Sequence, residues 1–213
     1  MQNGKFITFE GGEGVGKSTQ IRRLAASLRP LGEVVLTREP GGSPGAEALR
    51  DLLVQGETDR WSPTSEALLL YAARADHLER LIRPALARGA FVLSDRFADS
   101  TRAYQGAGGG ASPKLIDMLE ALVVGEARPD LTLVFDLPVE VGLTRAVGRG
   151  GPEQRFEQKG EAFHQRLRER FLAIAQAEPQ RCRLINADDD VDGVAAAVWA
   201  AVSTHFSLAE PAR

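Results

Sequence analysis

The chain has 213 residues, enough for one domain with a sizeable core. Its 43% hydrophobic and 26% charged residues are ordinary for a soluble globular protein, and a net charge of −3 argues against the basic face that nucleic-acid binding uses. A single cysteine, Cys182, excludes an internal disulfide and a multi-cysteine zinc site; no run of about 18 apolar residues offers a membrane span, no secretory leader opens the sequence, and the expected compartment is the cytoplasm.

Residues 6–9 form a short β-branched and aromatic run that reads as a strand. Residues 11–18 then read GGEGVGKS, a complete G-x-x-x-x-G-K-[ST] phosphate loop, and from Thr19 onward the apolar positions 21, 24, 25 and 28 have helical spacing. Strand, glycine loop and helix is the context that the motif requires. Gly11, Gly12, Gly14 and Gly16, with Glu13 and Val15 between them, let successive N–H groups and the helix N-terminus point at a triphosphate. Lys17 would reach the β- and γ-phosphates, and the Ser18 hydroxyl would ligate Mg²⁺.

Further along, residues 33–37 read as a second strand after Gly32, which is expected to stop the first helix. Helices follow over 44–55 and 63–88, the latter opened by Ser62-Pro63 and closed by Gly89. A buried strand at 91–93 runs into Ser94-Asp95-Arg96, and Ser112-Pro113 starts a helix through Val124. Residues 131–135 are a fourth strand, 138–147 and 161–178 are helices, 182–185 is the last strand and 190–206 the last helix. The glycine-rich stretch 105–110 reads as a flexible connection and the tail 207–213 as frayed. His77, His164 and His205 lie far apart, without ligand spacing, and read as surface or partly packed helix residues.

Five short apolar runs separated by helices predict an α/β fold, a three-layer sandwich with a five-stranded parallel sheet and helices on both faces, in a single domain over 1–213. Ligands in such folds collect beyond the carboxyl ends of the strands. The charged, glycine-rich stretch 148–160 is either a solvated surface loop or a mobile lid that carries Arg149 and Arg155 over the phosphates. Two strand-end carboxylates, Asp95 and Asp136, are candidates for the metal shell, and spacing does not choose between them. Asp95 is preferred because Arg96 beside it adds a guanidinium for an anionic substrate, whereas Asp136 reads as the cap of the helix near Pro138.

The segments FEGGEGVGKSTQ, TREPGGSPGAEALR, LLLYAAR, SDRFADSTRAYQG and RPDLTLVFDLPVEVGLTRA, in this order over residues 5–206, resemble the bacterial thymidylate kinases. The resemblance implies a P-loop NTPase-type core, a homodimer, Mg²⁺-ATP as donor and dTMP as acceptor. It implies that Arg96 and Arg50 clamp the acceptor's 5′-phosphate and that Glu10 lies near the sugar 3′-hydroxyl. Arg38 and Pro40 would line the thymidine site, with a cis peptide before the proline. Ser100, Thr101, Tyr104 and Gln105 would recognise base and sugar, Arg74 the thymine carbonyl edge, and Arg145 would pack on adenine. Without the resemblance, Arg74 reads as a solvated helix arginine.

Two positions depart from the family pattern. Leu70 stands where a phenylalanine usually stacks on the base, with Tyr71 next to it as a replacement only if the helix register differs; the aromatic-specific contribution of roughly 0.5–1.5 kcal/mol would be absent. The phosphate loop carries Glu13 and no arginine, which resembles the members whose arginines come from the lid, with Arg155 the first choice and Arg149 the second. A kinase of other or broader nucleoside monophosphate specificity is the nearest alternative. A deoxynucleoside kinase would need a base near a 5′-hydroxyl, a GTP-binding switch would need the N-K-x-D signature that the chain lacks, and a non-catalytic nucleotide-binding subunit is a further possibility.

Overall fold

A computed structural model describes residues 4–57, 59–147 and 159–209. The strands are β1 (Lys5–Gly11), β2 (Val34–Arg38), β3 (Phe91–Asp95), β4 (Leu131–Asp136) and β5 (Cys182–Asn186). The helices are α1 (Lys17–Leu28), α2 (Pro44–Val54), α3 (Pro63–His77), α4 (Arg83–Ala87), α5 (Ala98–Thr101), α6 (Pro113–Val123), α7 (Val139–Val147), α8 (Glu161–Ala177) and α9 (Val191–Phe206). All strand pairs are parallel, in the order β2-β3-β1-β4-β5.

The alternation of side chains along the strands divides the core in two. Ile7, Phe9, Leu93, Leu131, Leu133 and Phe135 face one side, where Ile21, Leu24 and Leu28 of α1 and Val194, Val198 and Val202 of α9 cover them. Phe6 and Val92 face the other, against Tyr71, Leu78, Ile82 and Ile116. Both faces are thus dry, which is why these strands read as apolar runs. The register pairs Phe9 with Asp95 and Gly11 with Phe135, so the phosphate loop leaves the sheet between the ends of β3 and β4.

Four local features differ from the sequence reading. The helix expected over 63–88 is interrupted by a π-helical turn at Leu78–Ile82, in which the Arg83 N–H reaches back to the Leu78 carbonyl. Pro84 has no N–H and its ring crowds the carbonyl four residues earlier, so the widened turn carries the helix past it. The first helix ends at Leu28 rather than at Gly32, because Pro30 has no N–H to continue it. The expected flexible connection is π-helical over Arg102–Gly108. A Cβ at Gly108 would lie 2.5 Å from the Phe163 ring, so that glycine is there for close packing against α8 rather than for freedom. The tail does not fray at once: Ser207 takes a left-handed φ of 52°, the Leu208 N–H caps the Ser203 carbonyl at 2.9 Å, and Leu208 packs on the core.

Candidate active site

The carboxyl ends of β1 and β3 bring two cations to one carbonyl. Lys17 Nζ donates to Gly11 O at 3.1 Å and Gly12 O at 2.7 Å, while Arg96 Nη1 donates to Gly11 O at 2.9 Å. The two cationic atoms therefore lie within about 6 Å of each other. Arg96 holds a left-handed φ of 70°, which is costly for a residue with a Cβ and typical of functional positions. Its Nη2 donates to Glu13 Oε1 at 2.8 Å, and the Tyr104 hydroxyl donates to the same oxygen at 2.7 Å. The guanidinium also lies 4.9 Å from the Tyr104 ring centre.

These charges shift one another. Burial would raise the Glu13 carboxyl, but Arg96 and Lys17 outweigh it and bring its pKa down to about 2. Burial, then the Arg96 charge, lowers Lys17 to about 8. Glu10 is fully enclosed and accepts from Phe97 N at 2.8 Å and Ser100 Oγ at 2.5 Å. Burial first, and Asp99 second, raise its carboxyl to about 8. Both Glu10 oxygens thus serve to hold the turn after β3 rather than opening onto the cleft.

Asp95 and Asp136 separate clearly. Asp95 Oδ1 is buried with no hydrogen-bond partner among the described residues, an acceptor left for a cation or its water. Asp136 is taken in a two-point pair with Arg168 at 2.7 and 3.0 Å, which ties β4 to α8. Its structural role is that tie and not the expected helix cap; α7 begins after Pro138, whose carbonyl accepts the Gly142 N–H at 3.1 Å. Ser18 is half-buried on the first turn of α1, with Thr19 after it and Gly16 as N-cap. Val15 packs its side chain into the core. No group of three or more His, Cys, Asp or Glu among the described residues forms a metal cage. Asp95 and Ser18 could thus hold Mg²⁺ only together with water and phosphate oxygens, the arrangement that ion prefers.

A second cluster surrounds Arg74, which is 2% exposed and not solvated as the bare helix pattern suggested. Its Nε donates to Glu39 Oε2 at 2.8 Å and its Nη2 to Thr101 Oγ1 at 2.9 Å. The guanidinium lies 4.6 Å from the Tyr71 ring centre and 5.1 Å from that of Phe97, while Nη1 has no partner among the described residues. Tyr71 therefore packs on Arg74 within the core. Leu70 is buried with Leu53 and Val54, between α2 and α3. Gln105 donates to Glu66 at 2.8 Å and Ser100 meets Arg96 at 3.3 Å.

The loop after β2 joins the two clusters. The Glu39-Pro40 peptide is cis, Glu39 N donates to Asp95 O at 2.9 Å, and Arg50 Nη1 donates to Pro40 O at 2.5 Å. Arg38 is half-exposed and pairs with Glu47 at 3.1 Å. Arg145, on α7, is exposed and its Nη1 lies 3.4 Å from the Ala187 carbonyl beyond β5. Arg149 and Arg155, and residues 148–158 of the expected lid, lie outside the described residues. The sequence reading missed Glu39 as a ligand of Arg74, and it took His77 for a surface or partly packed residue although it is fully buried against Glu39. Their signal was the three-residue spacing of Arg74 and His77, which puts both on one face of α3. His164 is also buried, on α8.

The parallel sheet in this strand order, with a glycine loop leading into a helix that presents Lys17 and Ser18, defines a P-loop NTPase. A family model described as thymidylate kinase matches residues 9–198. The thymidylate kinase of Caulobacter vibrioides is 65% identical over 209 residues, covering 98% of this chain and all of that one. That of Nitrobacter winogradskyi is 51% identical, over 99% of this chain and 93% of its own length. The crystal structure of thymidylate kinase from Ehrlichia chaffeensis superposes with a TM-score of 0.77 at 34% identity, over 94% of this chain and 99% of that one. The chain belongs to the thymidylate kinase family.

Proposed function

We propose that the chain transfers the γ-phosphoryl group of ATP to the 5′-phosphate of dTMP, giving dTDP and ADP. The observation that carries the reading is the convergence of Lys17 and Arg96 on Gly11 O, which sets a donor-phosphate cation beside an acceptor-phosphate cation. Two phosphates repel, and neutralising both at this spacing lets them approach in line. Arginine suits the acceptor side because its planar fork matches phosphate oxygens. The acceptor oxygen is already largely anionic near neutral pH, since a monoester's second pKa is about 6, so no general base is required.

The backbone of Gly11, Gly12, Glu13, Gly14, Val15 and Gly16 cradles the donor phosphates, with Thr19 at the helix entrance and Arg145 at the adenine end. Ser18 and Asp95 would hold Mg²⁺, which would supply positive charge to neutralise the donor phosphates. Arg50 joins Arg96 on the acceptor phosphate, Arg74 donates to the thymine carbonyl edge through Nη1, and Leu70, Thr101, Tyr104 and Gln105 with Arg38 and Pro40 complete the nucleoside site. Residues 148–160 act as a lid of the single domain, contribute Arg155 and Arg149 to the transferred phosphoryl, and exclude water that would otherwise accept it. Leu52, Leu68, Met118 and Leu122 leave apolar surface exposed on the adjoining helices α2, α3 and α6. We assign that surface to a homodimer interface. No helix among the described residues is long and apolar enough to cross a membrane, and the compartment that fits a nucleotide kinase is the cytoplasm. The test is ADP release with Mg²⁺-ATP and a panel of dTMP, dUMP, UMP, CMP, GMP and AMP. Release that depends on dTMP supports the reading, and release with another acceptor in its place overturns it.

A further inference from the structure

We infer that His77 is a positioning residue for nucleobase recognition, acting through Glu39 on Arg74; the inference rests on the proposed dTMP site. His77 has no solvent exposure, and both ring nitrogens are used. Nδ1 lies 3.0 Å from Glu39 Oε1, and Nε2 lies 2.7 Å from Thr37 Oγ1. A carboxylate only accepts, so Nδ1 carries a proton and donates it. The second Glu39 oxygen accepts from Arg74 Nε at 2.8 Å, and Thr101 accepts from Arg74 Nη2 at 2.9 Å.

A chain of contacts therefore runs from half-buried Thr37 on β2 through the buried His77 and Glu39 to Arg74 and Thr101. It uses Nε and one N–H of Nη2, and Nη1 is the guanidinium nitrogen without a partner among the described residues. A guanidinium fork is rigid, so fixing Nε and Nη2 also fixes where Nη1 points. A carboxylate held by the arginine alone could rotate with it; the His77 N–H on the other oxygen removes that freedom. The fold makes room for this arrangement. Gly42 takes a φ of +89°, and a Cβ there would lie 2.3 Å from Thr37 Oγ1 and 2.4 Å from His77 Nε2, so any larger residue would break the first link.

What the chain secures is selectivity. A donor fixed at the base edge accepts a carbonyl at the 4-position, as in thymine, and rejects an amino group, as in cytosine. The test compares His77→Asn, which keeps a donor near Nδ1, with His77→Gln and His77→Leu, which lose it, and with Thr37→Val, which cuts only the outer link. Purified proteins are assayed for KM of dTMP, KM of ATP, the dTMP-over-dCMP ratio of kcat/KM, and thermal stability. His77→Gln and His77→Leu are expected to raise the KM for dTMP about tenfold and to lower the dTMP-over-dCMP ratio, with the KM for ATP unchanged. His77→Asn, which keeps the donor to Glu39 but loses the outer link, and Thr37→Val, which cuts the same link, are both expected to shift in the same direction by a smaller factor. Wild-type selectivity in His77→Gln and His77→Leu overturns the inference, as does equal impairment in His77→Asn, or a loss that follows thermal stability and falls equally on ATP. If His77→Leu does not fold, Thr37→Val decides alone through the same ratio. A wild-type chain that does not phosphorylate dTMP removes the functional reading beneath the inference, whereas an active wild type with unaffected variants removes the inference only.

Discussion

Arg74→Ala should destabilise the protein as much as it impairs dTMP recognition. Glu39 is 6% exposed, and the substitution leaves His77 as its only remaining side-chain donor among the contacts described above. Breaking a buried ion pair from one side costs about 3–5 kcal/mol, because the surviving charge keeps its desolvation penalty. For a chain of this size each kcal/mol moves Tm by about 2–4 °C, so a fall of roughly 6–20 °C is expected. Replacing both partners, as Arg74→Met with Glu39→Met, removes the orphaned charge and should cost clearly less than the two single substitutions added together. Urea unfolding followed by circular dichroism on the wild type, Arg74→Met, Glu39→Met and their double variant gives the coupling directly, with Arg74→Ala measured beside them. An Arg74→Ala cost under about 1 kcal/mol, or additive effects in the double variant, would refute the claim that this pair is a buried interdependent unit.

The Glu10 carboxyl, raised from 4.5 to about 8 by burial and by Asp99, lets the folded chain keep a proton that the unfolded chain releases. Stability from this group is full below pH 4.5 and is lost as pH rises toward 8; Glu10→Gln should flatten the decline of Tm between pH 5 and 8, and an unchanged slope speaks against the assignment. Arg155→Ala should lower kcat by about 10³-fold or more with little change in the KM for dTMP, as for other arginines that meet a transferred phosphoryl; unchanged turnover sinks the lid assignment. Met118→Lys combined with Leu122→Glu should convert a dimer to a monomer in sedimentation velocity, and a dimer that persists places the interface elsewhere.

The layered fold was legible because buried parallel strands and amphipathic helices write different periods, and every strand and long helix fell within a few residues of its expected place. What was not legible depended on tertiary contact. The π turn at Leu78–Ile82 arises from Pro84 inside an otherwise unbroken helical pattern, and the glycines at 106–110 read as a loop although Gly108 is pressed against Phe163. At the site, the phosphate loop could be read directly from its motif. Asp95 could be preferred to Asp136 for the arginine beside it, but what separates the two carboxylates was not legible, since Asp136 is taken by Arg168 on α8, 32 residues later. Arg74 is similar: a charged residue on a helix reads as solvated until Glu39, 35 residues earlier, is placed against it.

The central claim is that donor and acceptor phosphates meet between Lys17 and Arg96. The most direct measurement follows γ-labelled ATP, with Mg²⁺ and dTMP, by mass spectrometry of the nucleotides formed. The account predicts that the label appears in the β-phosphoryl group of dTDP, one for each ADP. Label found in inorganic phosphate, with dTMP left unchanged, would contradict it.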